Sequence, residues 1–515
     1  MKNDFQPTGF MRESRVRICA VITERTVEAA RLAIRRAAEA ADLIELRLDY
    51  LNDFDFTDPA NLWPLVKDKP LPIIITCRAT SEGGVQQVDD ETRLRLLVEG
   101  ARRMADYCDV EAAYYDAASK LSPDLARLII SYHNFTATPS DLNSVYDRVT
   151  ALPAAIHKIV TRANDIEDSL AVFHLLDRAR RDGRNIIALA MGEPGLITRI
   201  IGPSRGSFLT YASVERGRES AAGQSVCKDL RDTYRLHELT RDTIITGVIG
   251  KPVAHSASPF MHNRAFKALG LDFVYLALEV DRVEEFFARF VRQATREIDW
   301  RLRGFSVTIP HKTSVYSFLD EIDATASRVG AVNTVVIDEG RITGYNTDVE
   351  GAIKPLESVL SLDGESCGVI GAGGVARAVT YGLISKGARV KIFARDAAKA
   401  RAFAESFGVA ALPLESLQSS DVQIVINTTP VGMHGHSEQA SPVARTALRG
   451  RRVAYDLVYN PIQTQFLKDA TAEGCRIISG IEMLVAQAAL QFELWTNRKA
   501  PLDLMREAAL EKLSS

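Results

Sequence analysis

Lysine is almost never fully buried without a partner, so a lysine inside an apolar run calls for an explanation. Lys158 stands in Ile156-His157-Lys158-Ile159-Val160. Strand alternation puts Ile156, Lys158 and Val160 on one face and His157 and Ile159 on the other. Held among apolar groups and other cations, an amine has a lowered pKa and can attack a carbonyl. His133 ends another apolar run and suits proton transfer near neutral pH. Glu45 and Arg47 close one run, Arg78 closes the next, and Arg199 follows a later one. Several arginines imply a substrate that carries a carboxylate. Singly these residues are ordinary: surface Arg and Glu are common, and a lone histidine is more often a satisfied core residue.

A second set lies further along. Gly371, Gly373 and Ala376 in Gly368-Val369-Ile370-Gly371-Ala372-Gly373-Gly374-Val375-Ala376 fit the G-x-G-x-x-G/A spacing. That spacing suits a strand–turn–helix unit whose helix N-terminus holds a pyrophosphate. A glycine-rich turn without a ligand gives the same pattern, so context has to decide. Lys312 and Asp348 are a cation and an anion at loop ends. They read either as a structural ion pair or as a proton-transfer pair beside a hydride acceptor. Ser256 and Ser258 precede Pro259, which reads as a turn with Ser258 as N-cap and proline at the first helical position.

The elements that position these residues follow from period and punctuation. A chain of 515 residues is too long for one core. Its composition, 46% hydrophobic and 25% charged with net charge -3, implies no general attraction to nucleic acid or membranes. The six cysteines are scattered, without C-x-x-C pairs, and read as reduced thiols of a cytoplasmic protein with no zinc or other metal site. Residues 1–15 read as a disordered tail rather than a signal peptide, and no apolar run is long enough to span a bilayer.

From Arg17 to about Ser213 eight short apolar runs alternate with helical stretches such as Thr26–Ala41 and Asp89–Asp106. Strict alternation implies parallel strands, and eight units fit a (β/α)8 barrel, with an open doubly wound sheet as the alternative. In a barrel the functional residues gather at the C-terminal ends of the strands. Leu230–Thr243 reads as one helix closing this half, with a boundary near Arg241. A strand Ile245–Ile249 and a hairpin turning at Glu339-Gly340 then build a small α/β unit ahead of the glycine loop.

Five motifs of the first half, in order and spacing, resemble type I 3-dehydroquinate dehydratase: Ile44-Glu45-Leu46-Arg47, Thr76-Cys77-Arg78, Ser131-Tyr132-His133-Asn134-Phe135, His157-Lys158-Ile159-Val160 and Ser220-Ala221-Ala222-Gly223-Gln224. The resemblance implies a Schiff base on Lys158, general acid/base work by His133, and Glu82 orienting His133. It further implies that Glu45, Arg47, Arg78 and Arg199 grip the substrate and that Ser220 and Gln224 sit on a lid loop.

The second half is similar to shikimate dehydrogenase through Ser256-x-Ser258-Pro259, Val307-Thr308-Ile309-Pro310-His311-Lys312, Ala331-Val332-Asn333-Thr334, Gly344-Tyr345-Asn346-Thr347-Asp348, the glycine loop, Asn427-Thr428-Thr429-Pro430, Asp456-Leu457-Val458-Tyr459-Asn460-Pro461 and Gly480-Ile481-Glu482-Met483-Leu484-Val485-Ala486-Gln487. The implied catalytic pair is Lys312 and Asp348. Ser256, Ser258, Thr308, Asn333 and Gln487 are implied substrate ligands. Gly371, Ala372, Gly373, Gly374 and Val375 are the implied cofactor cradle, with Leu457, Tyr459 and Gly480 completing the cofactor site. Ser306 stands where the family more often has Asn. Arg395 and Lys399 follow the next strand and favour NADP, although Asp396 is also present.

The expected division is a tail at 1–15, a dehydratase barrel at 16–240, a substrate-binding domain at 241–350, a Rossmann NADP-binding domain at 351–480 and C-terminal helices at 481–515 closing on the substrate domain. The product expected of the first half resembles the substrate expected of the second. The reading is therefore a bifunctional shikimate-pathway enzyme acting on small molecules as a monomer or homodimer. A mainly quinate-directed second half, or one half serving as a non-catalytic sensor, are the alternatives.

Overall fold

The computed structural model describes residues 16–435 and 437–514, apart from the side chains of Ala397 and Lys399. The expected tail, residues 1–15, lies outside the described residues. The chain divides into two compact units: Met1–Ile244 with Leu276–Arg301, and Ile245–Tyr275 with Leu302–Ser515. Packing therefore groups Leu276–Arg301 with the first half of the sequence, where Trp300 meets Phe173 edge to face and Arg205 donates to the Asp299 carbonyl at 2.9 Å.

The first unit is a ring of eight parallel strands: β1 (Ile18–Ile22), β2 (Leu43–Arg47), β3 (Ile73–Thr76), β4 (Tyr107–Glu111), β5 (Leu128–His133), β6 (Ile156–Arg162), β7 (Ile186–Met191) and β8 (Thr210–Ser213). Neighbours in sequence are neighbours in the ring, and β8 pairs with β1. Between β7 and β8 the closure is a bridge, Ile186 to Ser207, with the Phe208 amide donating to the Ile186 carbonyl at 2.7 Å. The strands form where apolar, often β-branched residues run unbroken, as parallel strands covered by helices require. Thr26 and Asp89 cap the helices Val27–Ala37 and Asp90–Arg103, so both predicted amphipathic stretches end earlier than their periodicity suggests.

Alternation then sorts the barrel interior into layers. Leu43, Ile74, Tyr107, Ile129 and Ile156 form an apolar floor. Two residues further along the same strands stand Glu45, Thr76, Asp109, Ser131 and Lys158, all buried. Leu230–Thr243 is not one helix. A π-helical turn at Asp229–Thr233 and a 3-10 turn at Leu236–Glu238 are separated by Arg235, whose φ of 52° breaks the helical path.

Two six-stranded sheets follow the barrel in the chain. The first has the order β10-β9-β11-β13-β14-β12, with β9 (Ile244–Gly250), β10 (Phe273–Glu279), β11 (Arg301–Val307), β12 (Glu321–Ile322), β13 (Thr334–Asp338) and β14 (Arg341–Tyr345). β13 and β14 form the predicted hairpin, with positive φ at both Glu339 and Gly340. The second sheet contains β15 (Ser366–Ile370), β16 (Arg389–Ala394), β17 (Ala410–Pro413), β18 (Ile424–Asn427), β19 (Val453–Asp456) and β20 (Arg476–Ile478), all parallel, in the order β17-β16-β15-β18-β19-β20. Counted from β15, that is the dinucleotide-binding order 3-2-1-4-5-6, with its switch point between β15 and β18. No helix among the described residues is long and apolar enough to cross a membrane.

One core residue of the second unit sets a pH limit on its stability. His262 is fully buried, stacks on Tyr275 at 4.3 Å and lacks a hydrogen-bond partner on either ring nitrogen. Burial holds its pKa down to about 3, against an ordinary 6.5. Below 6.5 the unfolded chain therefore takes up a proton that the folded chain refuses, and stability falls with pH by up to ~1.4 kcal/mol per unit. His262→Leu should flatten this dependence, so that urea midpoints of variant and wild type draw together or cross between pH 7 and 4. Parallel pH curves would contradict it.

Candidate active sites

The polar layer of the barrel is a chain of alternating charge. Lys158 Nζ donates to Asp109 Oδ2 at 2.9 Å and Glu45 Oε1 at 3.2 Å, and lies 4.3 Å from the centre of the Tyr211 ring. Carboxylates thus flank this amine, where the sequence suggested apolar groups and cations. Thr76 donates to Glu45 at 3.0 Å. Arg78 bonds Asp109 at 3.0 Å, Ser131 at 2.8 Å and Glu111 at 3.2 Å, and Glu111 is held from its other oxygen by Arg93 at 2.7 Å. Burial alone would raise the Asp109 carboxyl, but Arg78 and Lys158 outweigh it and hold it below the ordinary carboxylate range.

His133 closes β5 and shares its Nδ1 with Glu82 Oε2 at 3.0 Å. Glu82 reaches it from the short turn Thr80–Glu82 after β3. Burial, opposed chiefly by Arg78, pushes the Glu82 carboxyl up to about 7. Burial, Arg78 and Lys158 push His133 well below its ordinary value, so the imidazole is a neutral base. Arg47 is committed to Asp49 through two hydrogen bonds, at 2.9 and 2.8 Å.

Arg199 differs from Arg47, Arg78 and Arg93. It is buried on the helix Leu196–Ile201 after β7 and has no ion pair among the described residues. It makes only long contacts, 3.5 Å to the Tyr211 carbonyl and 3.4 Å to the Ala222 carbonyl, and its Nε has no partner. Burial lowers its pKa to about 10. Ala222 belongs to the loop after β8, where Gln224 Oε1 accepts from the Ser220 amide at 2.8 Å and its hydroxyl at 3.2 Å. The loop expected to form a lid is therefore internally bonded and reaches the Arg199 guanidinium.

In the second unit Lys312 Nζ donates to Asp348 Oδ2 at 2.6 Å. Asn333 Nδ2 donates to the other oxygen, Oδ1, at 2.8 Å. Asn333 is itself held by the Thr347 amide at 2.7 Å and the Thr334 hydroxyl at 2.8 Å. Both ends of its side-chain amide are thus engaged within the protein. Ser258 is not the N-cap of its helix. That position is Ala257, and Ser258 is the first helical residue, its amide donating to Ser256 Oγ at 3.2 Å. Thr308 follows β11, its amide donating to the Ile249 carbonyl of β9 at 3.0 Å. The helix Gly480–Thr496 carries Gln487 against the helix that begins at Asp348, so closely that a Cβ on Gly351 would lie 2.7 Å from the Gln487 Cβ.

The glycine loop lies at the switch point between β15 and β18. Gly371 has a φ of 116°, and a Cβ there would meet Thr428 Oγ1 at 2.7 Å. Gly373 and Gly374 face open space, and Gly373 precedes a 12-residue helix with no acidic side chain in its first turn. Free N–H groups, a dipole end and an open cradle fit a dinucleotide pyrophosphate. Gly480 packs on the backbone of Leu457 and Val458, which leaves no room for a Cβ, and Tyr459 follows Val458 in the chain. Arg395 is exposed just past the end of β16. The Lys399 side chain lies outside the described residues.

Asp109, Glu111, Ser131 and Arg93 escaped the sequence reading. Two carboxylates two residues apart in the buried run Cys108-Asp109-Val110-Glu111 were a usable signal. Arg93 on its helix offered none.

The model for type I 3-dehydroquinase matches residues 18–241 and that for the shikimate dehydrogenase substrate binding domain residues 248–335. The model for NADP oxidoreductase, coenzyme F420-dependent, matches residues 366–440, and that for the shikimate 5'-dehydrogenase C-terminal domain residues 480–510. The chain is similar to a chloroplastic bifunctional 3-dehydroquinate dehydratase/shikimate dehydrogenase of Arabidopsis thaliana, 36% identical over 95% of this chain and 83% of that protein. A shikimate dehydrogenase (NADP(+)) of Carboxydothermus hydrogenoformans is 42% identical over 52% of this chain and 96% of its own. The crystal structure of shikimate 5-dehydrogenase from Thermus thermophilus in complex with NADP(H) and shikimate shares 38% identity, covering 52% of this chain and 99% of that one, with a TM-score of 0.48.

The isolation of Arg199 generates a prediction. Arg199→Met should leave the melting temperature unchanged or raised, because it removes an uncompensated buried charge. It should also raise the KM of the barrel reaction roughly 100-fold, since a charged hydrogen-bonded contact is worth about 1.5–3 kcal/mol. A fall in melting temperature with unchanged KM would show the guanidinium to be structural.

Proposed function

The chain belongs to the family of bifunctional 3-dehydroquinate dehydratases/shikimate dehydrogenases, and we propose that its two sites act in succession. In this reading the barrel converts 3-dehydroquinate to 3-dehydroshikimate through a Schiff base on Lys158, and the second unit reduces 3-dehydroshikimate to shikimate with NADPH. The observation that carries it is the coexistence of two separate proton-handling lysines, Lys158 between two carboxylates and Lys312 on Asp348.

Lys158 Nζ needs a free electron pair to attack the ketone, so the proton on it has to be passed on. Asp109 and Glu45 lie within hydrogen-bond reach to manage that proton. Loss of water from the adduct leaves an iminium, a stronger electron sink than the ketone. His133 takes the proton from the adjacent carbon, and the electron pair moves into the iminium. Its return expels the β-hydroxyl, which leaves as water with the proton from His133. A second water hydrolyses the product from Lys158, so one water is lost overall. Arg199 is the partner expected for the substrate carboxylate.

In the second unit the glycine loop would hold NADPH, which would supply hydride for the ketone carbon. Lys312 and Asp348 deliver the proton to the ketone oxygen, while Asn333 keeps the carboxylate aimed. Arg395 is placed to receive the 2′-phosphate that distinguishes NADP from NAD. With its six free cysteines we read the protein as a cytoplasmic enzyme, acting as a monomer or homodimer.

Two tests follow. Given 3-dehydroquinate and NADPH, the protein should consume NADPH and form shikimate. Lys158→Ala should abolish this while full turnover of 3-dehydroshikimate persists, and borohydride with substrate should fail to label the variant. Undiminished 3-dehydroquinate turnover in Lys158→Ala would refute the Schiff base.

The second test is a pH profile. Above about 7 the Glu82 carboxylate accepts from His133 Nδ1–H and leaves Nε2 free as the base. Below it the protonated carboxyl donates to Nδ1 and leaves the wrong tautomer. Dehydratase kcat should fall as pH drops through about 7. Glu82→Gln should lose that acid limb and run ~10²-fold slower at pH 8. An acid limb that survives in Glu82→Gln would assign it to another group.

A further inference from the structure

A hydrogen-bonded chain in the second unit reaches the catalytic pair from behind and uses residues to which the mechanism above gives no role. Tyr275, on β10, is fully buried, and its hydroxyl donates to Ser306 Oγ at 2.7 Å. Ser306, on β11, donates to Gln491 Oε1 at 2.7 Å. Gln491, on the helix Gly480–Thr496, donates from Nε2 to Thr334 Oγ1 at 3.1 Å and to the Asn333 carbonyl at 3.4 Å. Thr334 donates to Asn333 Oδ1, and Asn333 donates to Asp348 Oδ1 at 2.8 Å.

The direction of the chain is set by chemistry. The Asn333 carbonyl can only accept, so the Gln491 NH2 must face it and Oε1 must face Ser306. An amide oxygen also only accepts, so the single proton of Ser306 goes to Gln491. Ser306 must then accept from Tyr275. The Asn333 carbonyl thus sets the orientation of the Gln491 amide, and the Ser306 hydroxyl satisfies the Oε1 that this orientation turns toward it, holding the amide against Thr334 and Asn333, of which Asn333 bonds the Asp348 carboxylate. Each of these groups is buried, so a broken link leaves its partner unsatisfied rather than solvated.

We infer that Ser306, with Tyr275 and Gln491 on either side, is a positioning residue of the dehydrogenase, fixing the aim of Asp348 through Asn333 without touching the substrate. The inference rests on the reading of Lys312 and Asp348 as the proton-transfer pair. It differs from the substrate roles assigned to the neighbouring side chains, because a positioning defect appears in turnover, whereas a lost substrate contact appears in KM.

The experiment measures shikimate oxidation with NADP in the full-length protein carrying Ser306→Ala or Tyr275→Phe, with dehydratase turnover as an internal control. Ser306→Ala should lower kcat on the order of 10-fold, with KM for shikimate within twofold and dehydratase turnover unchanged. Tyr275→Phe keeps the ring stacked on His262 and leaves the Ser306–Gln491 bond intact, so its kcat should fall less. Should Ser306→Ala fail to fold, this nearly isosteric variant still decides, since it must lower kcat and not KM. Wild-type kcat in both variants, or a change confined to KM or to melting temperature, would overturn the inference. A wild-type protein unable to oxidise shikimate would instead refute the reading of the second site.

Discussion

Ions buried in the barrel interior have to satisfy one another. Removing a carboxylate or an ammonium from water costs several kcal/mol per ion unless geometry returns it. Lys158, Arg78 and Arg93 answer that cost by alternating with Glu45, Asp109 and Glu111, so that every member has a neighbour of opposite sign. The strand registers serve this arrangement. A slip of one residue in β4 would turn Asp109 and Glu111 toward the helices and leave Arg78 buried without an ion-pair partner. The apolar floor beneath and the helices outside are what shield the layer from solvent.

Against that rule Arg199 stands out, because it has no counterion among the described residues. A buried cation without a partner works against stability, and Arg199 lies beside the loop after β8.

The second unit solves the equivalent problem with neutral groups. A single ion pair, Lys312 with Asp348, is surrounded by amides and hydroxyls that hydrogen-bond one another. Such a network adds little net charge beside the glycine loop, where a cofactor brings several negative charges of its own. It is also directional, since a carbonyl at one end dictates the proton position of each hydroxyl along the line. The parallel sheet contributes the remaining requirement, placing the loop after β15 at the switch point beside the end of β18.

Much of this was legible in the chain. Eight apolar runs at barrel spacing, the hairpin at Glu339-Gly340 and the glycine loop are products of local period and turn chemistry, which act over a few residues. Lys158, His133, Lys312 and Asp348 announced themselves as polar residues at the ends or centres of apolar runs. Other features were not legible for a physical reason. The break at Arg235 and the first-turn position of Ser258 depend on what the segment packs against, not on its own propensity. Arg93 looks like any helix arginine until β4 lies beside it. Lys158 and Glu45 are 113 residues apart, and only ring closure brings them within hydrogen-bond distance. Residue type and spacing determined which groups could do chemistry; the tertiary structure decided which charges meet, because pairing in a buried interior is a long-range condition that no local pattern encodes.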